Sequence, residues 1–348
     1  MKEWMAYLLA VSLPLSLMRP AAQSDAPQPS AKSAVLMSQT GELLYAFDED
    51  LLLPIASTTK LMTALVVAER CDLEEEVEID KAWCGVEGSS MYLCPGERYT
   101  LRELLTGLLL VSGNDAARAL ACICAGDELS FSALMNEKAF SLGMTRSHFM
   151  NPHGLNEPEH YSTARDLAVL MQAVMDVPVL AEILAMPSAA VGDRQIYTHN
   201  KLLRRYDGCL GGKTGYTAVA GRCLVTCAER EGTRLYCVTL SDPNDWRDHE
   251  RLYDWGFSRY EILRLDAGSI GFELPVFSGV ESSVRVIPTH PLQLLLPKGA
   301  EPSYVPELPM FCFAPIREQA RAGTLRVELD GEALAEIELV FERTIPVK

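Results

Sequence analysis

Three short segments of this 348-residue chain set hydroxyls and amines at spacings that allow a proton to pass between them. In the first, Ile55-Ala56-Ser57-Thr58-Thr59-Lys60 heads the run Leu61 to Ala68, LMTALVVA. That run is too uniformly apolar for a surface helix, so it predicts a helix buried all round, with Ser57 in its first turn and Lys60 three residues on, on the same face. A serine at a helix start is often only a cap. Capping leaves Lys60 unexplained. An amine against apolar surroundings has its ammonium form disfavoured, and a neutral amine beside a hydroxyl is a base beside its nucleophile. Ser-x-x-Lys alone is weak, because about one match arises by chance in a chain of this length. Two further segments follow in order: Ser112-Gly113-Asn114 after the apolar stretch Leu104 to Val111, and Lys213-Thr214-Gly215 after Gly211-Gly212.

The elements that must position these groups are legible in outline. Ala34 to Met37 and Leu43 to Phe47, joined through Thr40-Gly41-Glu42, predict a β-hairpin. The acidic, then Gly/Ser-rich stretch from Cys71 to Arg98 predicts loops over the site, and Leu101 to Cys124 returns to helical pattern, with a fresh start at Asp115. Ser112-Gly113-Asn114 is thereby placed in a loop between two helices, where Asn114-Asp115 could equally serve as caps. Asn151-Pro152-His153-Gly154 is a turn cluster. His153 is read there as a turn residue and not as the base, since Lys60 is already adjacent to Ser57. Ser162 or Thr163 caps the next helix. Arg222 to Ala228 and Leu235 to Leu240 predict two strands directly after Lys213-Thr214-Gly215. Beyond Trp255-Gly256-Phe257 the composition changes. Asp330-Gly331 between two apolar runs signals a type I′ hairpin there.

The order Ser-x-x-Lys, Ser-x-Asn, Lys-Thr-Gly matches the motif set of class A β-lactamases and penicillin-binding proteins, with Gly113 where the β-lactamase motif has Asp. The flanking segments PIASTTKLMTAL, GSSMYLCPGERYTLRELLTGLLLVSGNDAARALA, NPHGLNEPEHYSTARDLA and GGKTGYTAVAGRCLVT all resemble the low-molecular-mass penicillin-binding proteins that are serine D-alanyl-D-alanine carboxypeptidases. The resemblance is dense from Ala34 to Phe257 and looser beyond. It implies an α+β, transpeptidase-like catalytic domain, an antiparallel five-stranded sheet with a helical lobe beside it, over residues 33–265, followed by a small β-rich domain over 266–348. It also implies acyl transfer from a peptidoglycan stem peptide to Ser57, with Lys60 as base and Ser112 relaying a proton. Asn114, Lys213, Thr214, Gly215 and Tyr216 would bind substrate, and the N–H groups of Ser57 and Tyr216 would form the oxyanion hole. In such proteins an arginine after the last long strand holds the substrate's carboxylate. Arg247 is the candidate, about two residues nearer the WGF segment than the pattern expects. Its alternative is a surface arginine paired with Asp245 or Asp248. β-Lactams are expected to acylate Ser57.

A formal charge of −16 argues against nucleic acid and anionic membrane surfaces as partners. Residues 1–24 read as an export signal, an uncharged run from Trp4 to Met18 followed by Ala22-Gln23-Ser24, and 25–32 as a disordered lead. The chain stops without the amphipathic helix that ends many relatives, so membrane contact is expected only through an uncleaved N-terminus. Extracytoplasmic action at the cell wall follows. Of the ten cysteines, Cys84 and Cys94 are the best candidates for a bridge, with buried thiols expected for most. The histidines lack metal-ligand spacing, and neither metal nor cofactor is expected. Two other readings remain. A β-lactamase would need a glutamate-held water, for which Glu157 or Glu159 is available, and a wall-binding protein without turnover would not need Ser57, Lys60, Ser112, Asn114, Lys213 and Thr214 together.

Overall fold

The computed structural model describes residues 25–348; the expected export signal lies outside the described residues. The chain divides into two compact units, one reaching Ser258 and the other Arg259–Lys348. In the first, a five-stranded antiparallel sheet has the order β2-β1-β9-β8-β7. The expected hairpin supplies β1 (Ser33–Ser38) and β2 (Leu43–Phe47). Two short pairs, β3 (Glu76–Glu78) with β4 (Arg98–Thr100) and β5 (Ser188–Val191) with β6 (Arg194–Tyr197), lie outside this sheet. Strands β7 (Cys209–Thr217), β8 (Gly221–Arg230) and β9 (Thr233–Leu240) complete it, leaving β7 at the edge.

The helices are α1 (Lys60–Arg70), α2 (Leu101–Leu110), α3 (Asn114–Ala125), α4 (Glu128–Ser141), α5 (Ala164–Met175), α6 (Pro178–Ala185), α7 (Leu202–Arg205) and α8 (Asp245–Arg259). As its run of apolar residues predicts, α1 is buried from Lys60 through Val67, and it packs against α2, α3, α4 and α5. Full burial of each Leu, Met or Val side chain is worth about 1.5–3 kcal/mol, which fixes this helix at the centre of the unit. A reciprocal capping box, Thr100 Oγ1 accepting from Glu103 N and Glu103 Oε2 from Thr100 N, starts α2. Thr163 caps α5, one of the two residues expected to do so. Among the described residues no single helix is long and apolar enough to cross a membrane.

Two boundaries differ from the sequence reading. Residues near the start of the described chain are docked rather than loose: Ser30 donates from N and Oγ to Asp248 and from Oγ to Asp242, while Ala26 and Ala31 are buried. The division between units falls before Arg259 and not at 266, because Tyr260–Leu265 is a strand, β10, that pairs along its whole length with β13 (Leu292–Pro297) of the second unit. That unit also holds β11 (Phe272–Phe277), β12 (Ser283–Pro288), β14 (Ser303–Glu307), β15 (Cys312–Phe313), β16 (Arg321–Leu329) and β17 (Glu332–Phe341), in the order β14-β16-β17-β12-β11-β15. Asp330 and Gly331 both have positive φ, 53° and 84°, as the expected type I′ turn between β16 and β17 requires. All ten cysteines are free thiols, Cys84 and Cys94 included; Cys223, Cys227 and Cys237 are buried and the others at least partly exposed.

Candidate active site

Ser57 lies one step earlier than the helical pattern suggests, in a 3-10 turn (Ala56–Thr59) that runs directly into α1. It caps nothing. Ala56, just before it, has φ +47°, a left-handed conformation that costs a residue with a Cβ about 1–2 kcal/mol and is held by its surroundings. The turn is locked by Thr58 Oγ1 donating to Ile55 O and Thr59 Oγ1 to Ala56 O, at 2.7 and 2.8 Å. Gly215 of β7 packs against it: a Cβ there would stand 3.0 Å from Ile55 O and 3.1 Å from Ser57 N.

Lys60 is fully buried, and its Nζ lies 2.9 Å from Ser57 Oγ, 2.7 Å from Asn114 Oδ1 and 2.7 Å from the carbonyl oxygen of His153. Burial, and then the charge of Lys213, hold its pKa well below the ordinary lysine value, against a smaller opposite pull from Asp115. The three oxygens suit a neutral amine. Asn114 Oδ1 and His153 O can only accept, so they take its two N–H bonds, and the remaining lone pair faces the one partner that can donate, the Ser57 hydroxyl.

The second wall comes from the loop between α2 and α3. Ser112 has φ +62° and is nearly buried. Asn114 is the first residue of α3 and does not cap it; its side chain bridges Lys60 and the carbonyl of Glu87, which accepts from Nδ2 at 2.5 Å. Asp115 is buried and accepts from Met91 N, Leu93 N and Ser90 Oγ, tying the Gly/Ser-rich loop onto α3. This arrangement explains Gly113: a Cβ there would stand 2.9 Å from Asp115 Oδ1 and 3.2 Å from Met91 N, so the aspartate of the β-lactamase motif has no room.

The third wall is β7. Lys213 is buried and donates to Ser112 Oγ at 3.0 Å and to Thr214 O at 2.7 Å; burial pushes its pKa down to about 7. Thr214, Gly215 and Tyr216 line a cavity of about 490 Å³ together with Ser57, Ser112 and Ser89. Ser57, Lys60, Ser112, Asn114, Lys213, Thr214, Gly215 and Tyr216 are thus brought to one place.

Arg247 is not: it is exposed on α8 and lines no part of the cavity. The guanidinium in the wall is Arg222 of β8, cross-strand partner of Tyr216, with Asp245 and Trp246 beside it. Asp245 is buried and accepts from Arg222 Nε at 3.0 Å and Nη2 at 2.8 Å, while the Arg222 guanidinium carbon lies 5.7 Å from the centre of the Trp246 ring. No spacing in the sequence joins residue 222 to 245, because the link is strand pairing plus a helix start 23 residues on. Thr198, His199 and Lys201 form a further part of the lining that carries no sequence signal.

His153 is a turn residue as expected, with a contribution the sequence did not reveal: the carbonyl that holds Lys60. Asn151 Oδ1 accepts from the N–H groups of His153 and Gly154, and burial pushes the imidazole of His153 down to about 3, so it is neutral. Glu157 and Glu159 are exposed and line no part of the cavity.

A serine whose hydroxyl faces a buried amine, on a five-stranded antiparallel sheet flanked by helices, defines a serine-type hydrolase of the penicillin-binding-protein class. A family model described as D-alanyl-D-alanine carboxypeptidase matches residues 20–244, and one described as Penicillin-binding protein 5, C-terminal domain, matches 264–347. The chain belongs to the D-alanyl-D-alanine carboxypeptidase family, as a serine-type peptidase. It is 39% identical to D-alanyl-D-alanine carboxypeptidase DacB2 of Mycobacterium tuberculosis, over 69% of this chain and 87% of that protein. It is 32% identical to D-alanyl-D-alanine carboxypeptidase DacF of Bacillus subtilis, over 88% and 83%. The structure of penicillin binding protein 5 from Haemophilus influenzae superposes with a TM-score of 0.78 at 29% identity, covering 92% of this chain and 98% of that one.

Proposed function

We propose that this enzyme removes the terminal D-alanine from peptidoglycan stem peptides outside the cytoplasm, through an acyl-enzyme on Ser57, with residues 1–24 as its export signal. Lys60 takes the Ser57 proton through its lone pair, and Oγ attacks the carbonyl carbon of the penultimate D-alanine. The N–H groups of Ser57 and Tyr216 stabilise the oxyanion; one such donor is worth about 3 kcal/mol at the transition state. The close packing of Gly215 on Ser57 N supports both groups serving one oxygen. The C–N bond breaks as Ser112, in contact with Lys213, passes a proton to the leaving amine, and water then releases the acyl group. Asn114 positions the substrate amide.

Lys213 and Thr214 hold the terminal carboxylate, and Arg222 takes the part first assigned to Arg247. Asp245 engages Nε and one Nη2 hydrogen, which leaves guanidinium N–H donors for the cavity. The observation that carries the reading is the matched set of partners around Lys60, two acceptors and one donor, which readies a base at the nucleophile.

β-Lactams acylate the same serine. Fast hydrolysis of that adduct, as in a β-lactamase, would need a water-holding carboxylate at the serine, and Glu157 and Glu159 stand outside the cavity. Incubation with a fluorescent penicillin and, separately, a D-Ala-D-Ala-terminated peptide tests the proposal. A long-lived adduct with release of D-alanine, both lost in Ser57→Ala, is expected. Rapid loss of the adduct with opened drug and no D-alanine would make it a β-lactamase; neither adduct nor D-alanine would leave a binding protein.

A further inference from the structure

Arg222 is held at both ends. Its guanidinium is gripped by Asp245, the first residue of α8, and its carbonyl oxygen accepts from Asp242 N at 2.8 Å. Asp242 lies just before α8, and Asp248 lies in its first turn, on the face of Asp245. Both are buried, and Ser30, an exposed residue of the docked N-terminal segment, spans them. Ser30 Oγ stands 2.6 Å from Asp242 Oδ1 and 2.8 Å from Asp248 Oδ2, and Ser30 N donates to the same Asp248 oxygen at 2.6 Å. Asn244 adds two donors, N to Asp242 Oδ1 at 3.0 Å and Nδ2 to Ser30 Oγ at 3.2 Å. These contacts close a ring that runs from Arg222 through Asp242, Ser30 and Asp248 to Asp245 and back to Arg222.

We infer that Ser30 is a positioning residue for Arg222, fixing the first turn of α8 by joining Asp242 to Asp248 through one shared proton. This rests on Arg222 taking the substrate's carboxylate. The proton is required by the count of hydrogens. A serine hydroxyl donates once, yet two carboxyl oxygens lie within 2.8 Å of Ser30 Oγ. Were both carboxyls ionised, one would face a lone pair. With one protonated, that carboxyl donates to Oγ and Oγ donates to the other.

Asp242 is the better holder of that proton. Its Oδ2 is buried and finds no hydrogen-bond partner among the described residues, which suits a neutral carboxyl and not a carboxylate. Burial raises its pKa, opposed by hydrogen bonds from Ser30 and Asn244 and helped by the charge of Asp248. The other groups facing the pair keep their charge state through neutral pH. Arg251 Nη1 stands 3.9 Å from Asp248 Oδ1, and Asp245 is bound to Arg222. Burial keeps His249 neutral between Thr226 and Thr239, and burial with the charge of these acids keeps Tyr45, Cys223 and Cys237 protonated. A proton held above the ordinary carboxylate range is lost as pH rises, so the clasp is closed on the acid side of the raised value and opens on the alkaline side, where two carboxylates repel.

The test compares the full chain with Ser30→Ala, Ser30→Thr, Asp242→Asn and Arg222→Ala from about pH 4.5 to 8, on a D-Ala-D-Ala peptide and its amidated analogue, with melting points to verify folding. Ser30→Ala should raise KM for the free-carboxylate peptide by roughly 3- to 10-fold at the acid end, leave kcat and the amidated peptide unchanged, and converge on the unaltered enzyme as pH rises. Ser30→Thr keeps the hydroxyl and should restore the original KM. Asp242→Asn, neutral throughout, should lack the part of the rise in KM with pH that Ser30→Ala also removes. An unchanged KM in Ser30→Ala beside a raised KM in Arg222→Ala would overturn the inference, as would a Ser30→Ala effect equal at every pH. An unchanged KM in Arg222→Ala would overturn the carboxylate reading itself, and this inference with it.

Discussion

Asn114→Asp is the most direct probe of the base. The change is isosteric, and it sets a carboxylate oxygen where Asn114 Oδ1 now accepts from Lys60 Nζ at 2.7 Å. Today burial and Lys213 hold the amine's pKa well below the ordinary lysine value, with only Asp115 pulling the other way. An adjacent carboxylate typically raises the pKa of a cationic partner by about 1–3 units. The acid limb of the pH profile for β-lactam acylation should therefore move up by that amount. At any pH on the acid side of both limbs, the same shift reads as a loss of rate of about 10- to 1000-fold. Above the shifted limb the rate should largely recover. A second effect is separable: the new carboxylate oxygen replaces an N–H that donates to Glu87 O, leaving two acceptors face to face and costing about 1–3 kcal/mol of stability. Asn114→Ala loses the same N–H without adding charge, so its limb should not rise. Stopped-flow acylation from pH 5.5 to 10 decides. A slower Asn114→Asp enzyme whose acid limb stays in place or moves down would refute Lys60 as the titrating base.

Further outcomes follow from the same geometry. Gly154 has φ +85°, and a Cβ there would lie 1.9 Å from Ala56 O, next to the nucleophile; Gly154→Ala should lower the melting point by roughly 5–15 °C and slow acylation, as calorimetry and penicillin labelling would show. Arg222→Ala should raise KM for a peptide with a free terminal carboxylate by about 10- to 100-fold while leaving its amidated analogue unaffected, whereas Arg247→Ala should change neither; a steady-state comparison of the two peptides distinguishes them. Lys213 titrates near 7 when folded and near 10.5 when unfolded. Between those values folding expels its proton, so this residue's contribution to stability falls as pH drops from 10.5 towards 7 and is level below. Urea midpoints at pH 7 and 9 should show Lys213→Met losing about 2 kcal/mol of the pH dependence seen in the unaltered enzyme.

That Ser57, Lys60 and Lys213 come together at one cleft was legible because the motifs that carry them are local: Ser57 and Lys60 are three residues apart, and Lys213-Thr214-Gly215 precedes two strong strand patterns. What the sequence could not supply were partners made by long-range packing. The His153 carbonyl reaches Lys60 across 93 residues, and Arg222 is aimed by Asp245 through a helix start that no periodicity links to it. Backbone carbonyls are invisible to residue-type reasoning, which reads side chains. Arg247 failed as a candidate because placement by order along the chain ignores which face of α8 meets the cavity. That Tyr260 to Leu265 belongs with the second unit is likewise a matter of long-range pairing, since its hydrogen bonds go to β13.

The two buried lysines make the site an accountant of protons. Lys213 titrates near neutrality because burial disfavours its charge, and any charge it acquires makes Lys60 harder to protonate. A ligand carboxylate docking on Lys213 stabilises its ammonium form, so binding draws a proton in from solvent, and that proton then repels another from Lys60. In this way the anionic end of a peptide arms the base by its arrival. An amidated or esterified peptide would occupy the same groove without delivering that instruction, and proton uptake measured on binding would separate the two.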